Sequence, residues 1–216
     1  MNQRIRRIVF DFDGVLVDSN ALKRRAYFDI FTSATPAGDV AACLAAHFDG
    51  DRYDVIECVV GKLRQRGLEA LPVSEYAVAY GKRCDEQMAQ RPETAGASHV
   101  LQRLATECAL FVNSATPEAS LHTYIEARGW TPHFRAVLGR PRSKVQNLMV
   151  IRSLDEADDS PIVFVGDRQS DLVAARTAGC CFVGMRSDDN DFVDEIEMLE
   201  TLGGLLEYVR SGEVKC

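Results

Sequence analysis

Short apolar runs recur along the chain, and each ends in polar or glycine residues that precede a helical pattern. Three runs have the length of a strand: residues 5–12, 108–112 and 162–165. Because they are continuously apolar rather than alternating, they are typical of parallel strands covered on both faces. Residues 136–138 and 181–183 are shorter candidates of the same kind.

Helical patterns follow these runs at residues 117–128, 144–154 and 170–178. Pro117 suits a first helical position, and Gly129 suits the end of that helix. The alternation of strands and helices predicts an α/β fold with a doubly wound parallel sheet. The tail over residues 192–209 also has a helical pattern.

The stretch from residue 18 to residue 95 departs from this alternation, because it contains helical patterns and no convincing strand. Its helical patterns cover residues 20–31, 40–48, 53–66 and 73–90, with Asp18 or Ser19 as the first N-cap. We therefore expect a core built from residues 1–17 and 96–216. An all-helical domain, residues 18–95, is inserted after the first strand.

Composition and charge exclude several classes of protein. The 216 residues contain 25 Lys and Arg against 32 Asp and Glu, so the formal net charge is −7. An acidic chain lacks the basic face that a general nucleic-acid binder needs. No apolar run reaches about 18 residues, and Asp11 and Asp13 interrupt the only apolar run near the start. We expect no nucleic-acid partner, no membrane partner and a cytoplasmic location.

The seven cysteines form no C-x-x-C pair, which excludes a zinc ribbon and a thioredoxin motif. We expect them to be small buried thiols in a reducing compartment.

Polar residues follow each of the three best strands. Asp11 and Asp13 follow the first, Ser114 and Thr116 the second, and Asp167 and Asp171 the third. Ligands of open α/β sheets bind outside the carboxyl ends of the strands, so these side chains should share one edge. Converging carboxylates repel one another, and a hard divalent cation such as Mg²⁺ is the usual resolution.

Four segments, in this order, resemble the motifs of the haloacid dehalogenase superfamily of aspartate-nucleophile phosphohydrolases. They are residues 11–19, an apolar strand ending at Ser114, residues 139–144 with Lys144, and residues 165–171 with Asp167 and Asp171. The insertion resembles, by position and helical character, the cap of the phosphoglycolate phosphatase and β-phosphoglucomutase branch.

The resemblance implies a role for each motif residue. Asp11 would attack phosphorus, and Asp13 would protonate the leaving oxygen and later deprotonate water. Ser114 and the following backbone N–H groups, beginning at Ala115, would bind the phosphoryl oxygens. Lys144 would neutralise charge on the nucleophile and the phosphoryl group.

The resemblance implies that Asp11, Asp167 and the backbone carbonyl of Asp13 hold Mg²⁺, and that Asp171 lies close behind and contacts the ion through water. Asp171 has an alternative role as a charge in the first turn of its helix. In the insertion, Lys23 is the basic residue that we expect to face the phosphate, with a solvated helix face as its alternative.

These residues predict a Mg²⁺-dependent phosphatase that acts on a small phosphorylated metabolite and exists as a monomer or homodimer. Asp13 argues against dehalogenation, because a halide leaving group needs no proton. A phosphomutase with the same site is an alternative. A phosphonate hydrolase, in which Lys23 would form a Schiff base, is another. A binding module with a relic site is disfavoured, because every core motif residue is present.

Overall fold

A computed structural model describes residues 4–31, 35–47, 51–154, 159–187, 190, 192–193 and 195–212. Contacts divide the chain into two compact units. One comprises Met1–Asp18 and Pro92–Cys216, and the other comprises Ser19–Arg91. The predicted insertion covers residues 18–95. The second unit begins one residue after the start of that range and ends four residues before its end.

The first unit contains a parallel sheet, which confirms the predicted α/β class. Its strands are β1 (Arg7–Phe10), β2 (Ala109–Pro117), β3 (Phe134–Arg140), β4 (Ile162–Gly166), β5 (Cys181–Met185) and β6 (Glu197–Leu199). Their order is β3-β2-β1-β4-β5-β6, and every neighbouring pair is parallel. The chain therefore leaves β1 on one side and returns on the other, which is the doubly wound topology.

The strand register brings the motif loops to one edge. Phe10 of β1 pairs with Val112 of β2 and with Val165 of β4. The residues that follow these three positions therefore leave the sheet side by side. This register places Asp11 between the end of β2, which contains Ser114, and the loop that contains Asp167, at the reversal of strand order where ligands bind such sheets.

The helices are α1 (Asn20–Ile30), α2 (Ala37–Ala46), α3 (Arg52–Gln65), α4 (Val73–Met88), α5 (Ala97–Leu104), α6 (Glu118–Ala127), α7 (Lys144–Ser153), α8 (Gln169–Thr177) and α9 (Gly204–Ser211). The first four build the second unit, and the other five belong to the first unit.

Both faces of the sheet are buried, as its apolar strands predicted. Val9, Phe111 and Phe164 form one cluster with Leu148 of α7 and Leu172 of α8. The neighbouring strand positions point to the opposite face and are buried as well, for example Ile8, Leu110 and Val163. Helices α7 and α8, which begin with Lys144 and Gln169, are thereby fixed on the sheet beside the motif loops.

The predicted helix over residues 192–209 is wrong in its first part. Glu197–Leu199 form β6, and only Gly204–Ser211 are helical. The strand arises from tertiary pairing with β5, where Met198 lies opposite Gly184. Residues 191 and 194 lie outside the described part. Helix α5, which the sequence interpretation did not include, buries Ala97, Val100, Leu101 and Leu104.

The second unit has its own core, formed by buried residues of α1 to α4. Tyr27 packs on Tyr80 with ring centroids 4.4 Å apart, and Phe31 packs on Tyr76 at 4.5 Å. Helix α3 begins with a capping box in which Asp51 accepts from the backbone N–H groups of residues 53 and 54. Residues 32–34 and 48–50 lie outside the described residues. The first range follows the predicted helix over 20–31, and the second includes the last residue of the predicted helix over 40–48.

Three cysteines contradict the expectation of reduced thiols, because Cys181 is disulfide-bonded as well as Cys43 and Cys58. Cys43 of α2 and Cys58 of α3 form a disulfide, with their Cα atoms 5.7 Å apart. Their separation of 15 residues matches no disulfide motif, and only the packing of α2 against α3 brings them together. Cys84, Cys108 and Cys180 are buried thiols, as expected.

Among the described residues, no helix combines the length and the apolar character needed to cross a bilayer.

Candidate active site

Asp11 is the first residue after β1 and is 4% exposed. Its backbone N–H donates to the carbonyl of Val165, which continues the ladder to β4 by one residue. Its Oδ1 accepts from the backbone N–H of Phe12 at 2.7 Å. The carboxylate is thus held at the edge of the sheet, between two strands, with Oδ2 directed to a different partner.

That partner is Lys144, the first residue of α7. Its Nζ donates to Asp11 Oδ2 at 2.8 Å and also to Asp171 Oδ1. The helix begins here because Ser143 caps it, with Gln146 completing a capping box. The motif residues Asp11, Lys144 and Asp171, which lie far apart in sequence, are therefore brought into one buried ion-pair cluster.

Asp167 and Asp171 come from the loop after β4 and the first turn of α8. Both are fully buried. Asp171 Oδ2 accepts from the N–H of Arg168 at 3.3 Å, so the residue also closes the start of α8. A Cβ at Gly166 would lie 2.5 Å from Asp171 Cβ, which shows why this position is glycine. The close approach lets α8 present Asp171 to Lys144.

The carboxylates of Asp11, Asp167 and Asp171 have ligand oxygens within 4.8 Å of one another. Lys144 pairs with two of them, and Arg168 Nε lies 3.6 Å from Asp167 Oδ2. These contacts therefore bring two cationic side chains to three buried carboxyl groups. Hard oxygen donors in this number suit Mg²⁺, so the donor set fits the predicted cation.

The same burial shifts the pKa values of the ion pair. Burial raises the pKa of Asp11 to about 7. The opposing charge of Lys144 lowers it, while the neighbouring carboxylates of Asp171, Asp167 and Asp13 raise it. Burial alone would lower the pKa of Lys144, but the charges of Asp11 and Asp171 outweigh it and raise that pKa above its ordinary range. The lysine is therefore a permanent positive charge beside Asp11.

The side chain of Asp13 lies outside the group of three carboxylates. Its Oδ2 accepts from Thr116 Oγ1 at 2.9 Å, and Ser114 Oγ lies 3.5 Å from the same oxygen. Ser114 and Thr116 are buried, whereas the Ala115 between them is exposed. The structure thus brings the first and second motifs together through Asp13, Ser114 and Thr116. The predicted role of its carbonyl in binding Mg²⁺ stays a prediction.

A buried polar network supports the base of Lys144, and the sequence interpretation did not include it. Asn113 Nδ2 donates to the Lys144 carbonyl at 3.0 Å, and Asn147 Nδ2 donates to Asn113 Oδ1 at 3.0 Å. Arg142 joins Asn147 Oδ1 to the Glu118 carboxylate. A polar residue inside an apolar run, as in Phe-Val-Asn-Ser, was the available sequence signal.

Asn190 is a further residue that sequence reasoning missed. Its Nδ2 donates to the backbone carbonyls of Asp167, at 2.9 Å, and of Met185, at 3.0 Å. It therefore ties the Asp167 loop to the end of β5. Lys23 belongs to α1 of the other unit and is half-buried, so its contact with phosphate stays a prediction.

Comparison with known proteins identifies the family. The family model for haloacid dehalogenase-like hydrolases matches residues 8–185, which is most of the chain and includes all four motifs. The chain belongs to the haloacid dehalogenase-like hydrolases. A comparison with curated protein sequences gives no match.

Solved structures of this family share the fold. A protein described as a predicted phosphoglycolate phosphatase, from Haemophilus somnus, has 20% identity and a TM-score of 0.71, covering 95% of this chain and 98% of its own. CbbY from Rhodobacter sphaeroides, in complex with phosphate, has 18% identity and a TM-score of 0.70, with 93% and 96% covered. The hydrolase YfnB from Bacillus subtilis, bound to magnesium, has 15% identity and a TM-score of 0.69, with 96% and 100% covered.

Proposed function

We propose that this hydrolase is a Mg²⁺-dependent phosphatase that cleaves a small phosphorylated metabolite through a phosphoaspartate at Asp11. The observation that carries the proposal is the buried cluster in which Lys144 bridges Asp11 and Asp171 beside Asp167. A nucleophilic carboxylate must lose its proton and must also approach an anionic phosphoryl group. The fixed charge of Lys144 favours both requirements.

Each step of the proposed reaction is assigned to a residue on this edge. Asp11 Oδ2 or Oδ1 attacks phosphorus, and the bond to the leaving oxygen breaks as Asp13 gives that oxygen a proton. Asp13 then takes a proton from the water that attacks the phosphoaspartate, which releases phosphate and restores Asp11. Ser114 and the backbone N–H groups from Ala115 onward hold the phosphoryl oxygens.

Asp11, Asp167 and Asp171 would hold Mg²⁺, together with the backbone carbonyl of Asp13. Bound there, the cation would supply positive charge that neutralises the phosphoryl oxygens in the transition state. This assignment is supported by the oxygen donor set of the three buried carboxylates. It is also supported by the magnesium bound to the related YfnB.

The proposed substrate class is a sugar phosphate or a small phosphorylated acid. The support comes from relatives, because CbbY has been crystallised with phosphate and, as a variant, with xylulose 1,5-bisphosphate. We further propose that the helical unit, which is inserted in the chain between Asp13 and Ser114, selects the substrate as a cap. Lys23 of α1 is its proposed phosphate contact.

The direct test is a screen of phosphorylated metabolites for phosphate release, with Mg²⁺ and with EDTA. We expect release from at least one sugar phosphate or phosphorylated acid only with Mg²⁺, and a loss of about 10⁴-fold or more in Asp11→Asn. The Glu207→Gln variant, which changes an exposed carboxylate on α9, should keep full activity. Activity of Asp11→Asn within tenfold of the wild type would contradict the proposed nucleophile.

A second arm separates the phosphatase from a phosphomutase. The same substrates are assayed with and without the corresponding sugar bisphosphate, and both phosphate and isomerised sugar phosphate are measured. A phosphatase releases phosphate at the same rate in both cases. Isomerisation that depends on the bisphosphate, without phosphate release, would contradict the proposal.

A further inference from the structure

The hydroxyl of Thr116 makes a contact that the reaction as proposed above does not use. Thr116 Oγ1 donates to Asp13 Oδ2 at 2.9 Å, while the Thr116 backbone N–H donates to Ser114 Oγ at 3.1 Å. Thr116 is 3% exposed, whereas Asp13 is half-buried. A buried hydroxyl therefore holds one oxygen of a carboxylate that has access to solvent.

The backbone around Thr116 is shaped to place this hydroxyl. Asn113 pairs with Leu138 and Pro117 with Arg140, so four steps along β2 correspond to two steps along β3. The two extra residues form an irregularity that contains Thr116. The contact of Thr116 with Asp13 therefore forms within this irregular part of β2.

Gly139 on β3 makes this irregularity possible. A Cβ at Gly139 would lie 2.5 Å from the carbonyl oxygen of Thr116 and 2.8 Å from the Cα of Glu118. The Gly139 N–H also donates to Glu118 Oε2 at 3.1 Å. The absence of a side chain at this position lets β3 close against the Thr116 backbone.

Asp13 itself stands on a tight turn. The next residue, Gly14, has φ +80°, and its N–H bonds to the carbonyl of Val17. A carboxylate on such a turn can rotate between several staggered positions. Two side chains of β2 contact this carboxylate, and Thr116 supplies the shorter of the two hydroxyl contacts to Oδ2.

We propose that Thr116 is a positioning residue for Asp13, which reserves Oδ2 as a hydrogen-bond acceptor and leaves Oδ1 to carry the transferred proton. This inference rests on the proposed function. In the first step, Oδ1–H gives its proton to the leaving oxygen as the phosphorus–oxygen bond breaks. In the second, Oδ1 takes a proton from water as the water oxygen bonds to phosphorus and the bond to Asp11 breaks.

The test uses a property that only acid catalysis would change. Substituted phenyl phosphates, from p-nitrophenyl to p-methoxyphenyl phosphate, differ in how much their leaving oxygen needs a proton. In Thr116→Val, which is nearly isosteric, we expect a loss in kcat/KM of about twofold for p-nitrophenyl phosphate. For p-methoxyphenyl phosphate we expect a loss of about tenfold or more, within the usual 10²–10⁴-fold worth of a general acid. Thr116→Ala serves the same purpose if the valine variant does not fold.

Two further variants make the result decisive. Thr116→Ser keeps the hydroxyl and should restore the wild-type dependence on the leaving group. Asp13→Asn should show the steepest dependence of all. Equal losses for all esters in Thr116→Val, or no rescue in Thr116→Ser, would overturn the inference while leaving the role of Asp13 intact. A wild-type dependence in Asp13→Asn would overturn the proposed acid and the inference together.

Discussion

Asp11 must be ionised to act as a nucleophile, yet it lies in surroundings that oppose ionisation. Burial raises its pKa from 3.8 to about 7. Lys144 Nζ, 2.8 Å away, is the group that favours the charged form. Metal binding would add positive charge beside the same carboxylate. Ionisation of Asp11 therefore destabilises the metal-free protein, and a bound cation would reduce that destabilisation.

This cost predicts a pH dependence of stability. A carboxyl group whose pKa is higher in the folded state stabilises the folded state below its unfolded pKa. That contribution is lost as the pH rises through about 7. In EDTA, the free energy of unfolding of Asp11→Asn relative to the wild type should therefore increase between pH 4 and pH 8. Urea denaturation at each pH measures it.

Asp29 in α1 serves as a control, because its pKa is shifted in the opposite direction to that of Asp11. Burial would raise its pKa, but hydrogen bonds from Arg83 and Arg25 outweigh burial and lower it. Its contribution to stability is present above its unfolded pKa and is lost as the pH falls. Asp29→Asn should thus lose stability relative to the wild type near neutral pH and not in acid. A difference between Asp11→Asn and the wild type that does not vary with pH would contradict the electrostatic account.

At the scale of elements, the motif loops could be predicted because each apolar strand ends abruptly in charged or hydroxyl residues. The parallel order then brings Asp11, Ser114 and Asp167 to one edge, as the register of β1 with β2 and β4 shows. Lys144 was predictable as a motif residue. Its two partners became evident only when α7 and α8 were placed on the sheet.

Other features depend on tertiary contacts that leave little trace in the sequence. Strand β6 has three residues, and its pairing with β5 decides its conformation. The contact of Thr116 with Asp13 joins residues 103 positions apart through an irregularity in β2. The Cys43–Cys58 disulfide depends likewise on the packing of α2 and α3. Each of these requires knowledge of which elements are neighbours.

The disulfide predicts a redox-dependent stability of the helical unit. Closing a loop of 15 residues stabilises a protein by about 3 kcal/mol, chiefly by restricting the unfolded chain. Under oxidising conditions, Cys58→Ser should therefore unfold with a free energy lower than that of the wild type by about this amount. Cys58 is half-buried, so serine is tolerated there.

The control is the same pair of proteins in a thiol reductant. Reduction removes the cross-link from the wild type, so the difference between the two proteins should fall close to zero. Denaturation curves under both conditions, with thiol counts to verify reduction, give the result. A difference of about 3 kcal/mol that persists after complete reduction would show that packing, and not the cross-link, stabilises these helices.

For the whole molecule, metal binding should be coupled to folding. Asp11 and Asp167 are 156 positions apart in the chain, so the carboxylate cluster exists only in the folded state. At a free Mg²⁺ concentration of about 100 times its dissociation constant, binding stabilises the fold by about 2.7 kcal/mol. For a chain of this size, the melting midpoint should rise by roughly 5–10 °C.

Asp167→Asn should lose most of this rise, because it removes one charged ligand from the cluster. Glu207→Gln, on the exposed face of α9, should keep it. Melting curves in EDTA, Mg²⁺ and Ca²⁺ measure the effect. An equal Mg²⁺-dependent rise in Asp167→Asn and the wild type would place the cation elsewhere in the molecule.

The most direct test of the central claim is to trap the phosphoaspartate and find its position. The protein is mixed with p-nitrophenyl phosphate and Mg²⁺, quenched in acid and reduced with borohydride, which converts an aspartyl phosphate to homoserine. Mass spectrometry of the peptide that contains residues 8–19 then reports the modified position. The account predicts homoserine at Asp11, dependent on Mg²⁺ and absent from Asp11→Asn. Turnover of the ester with an unmodified Asp11, or homoserine at another aspartate, would contradict it.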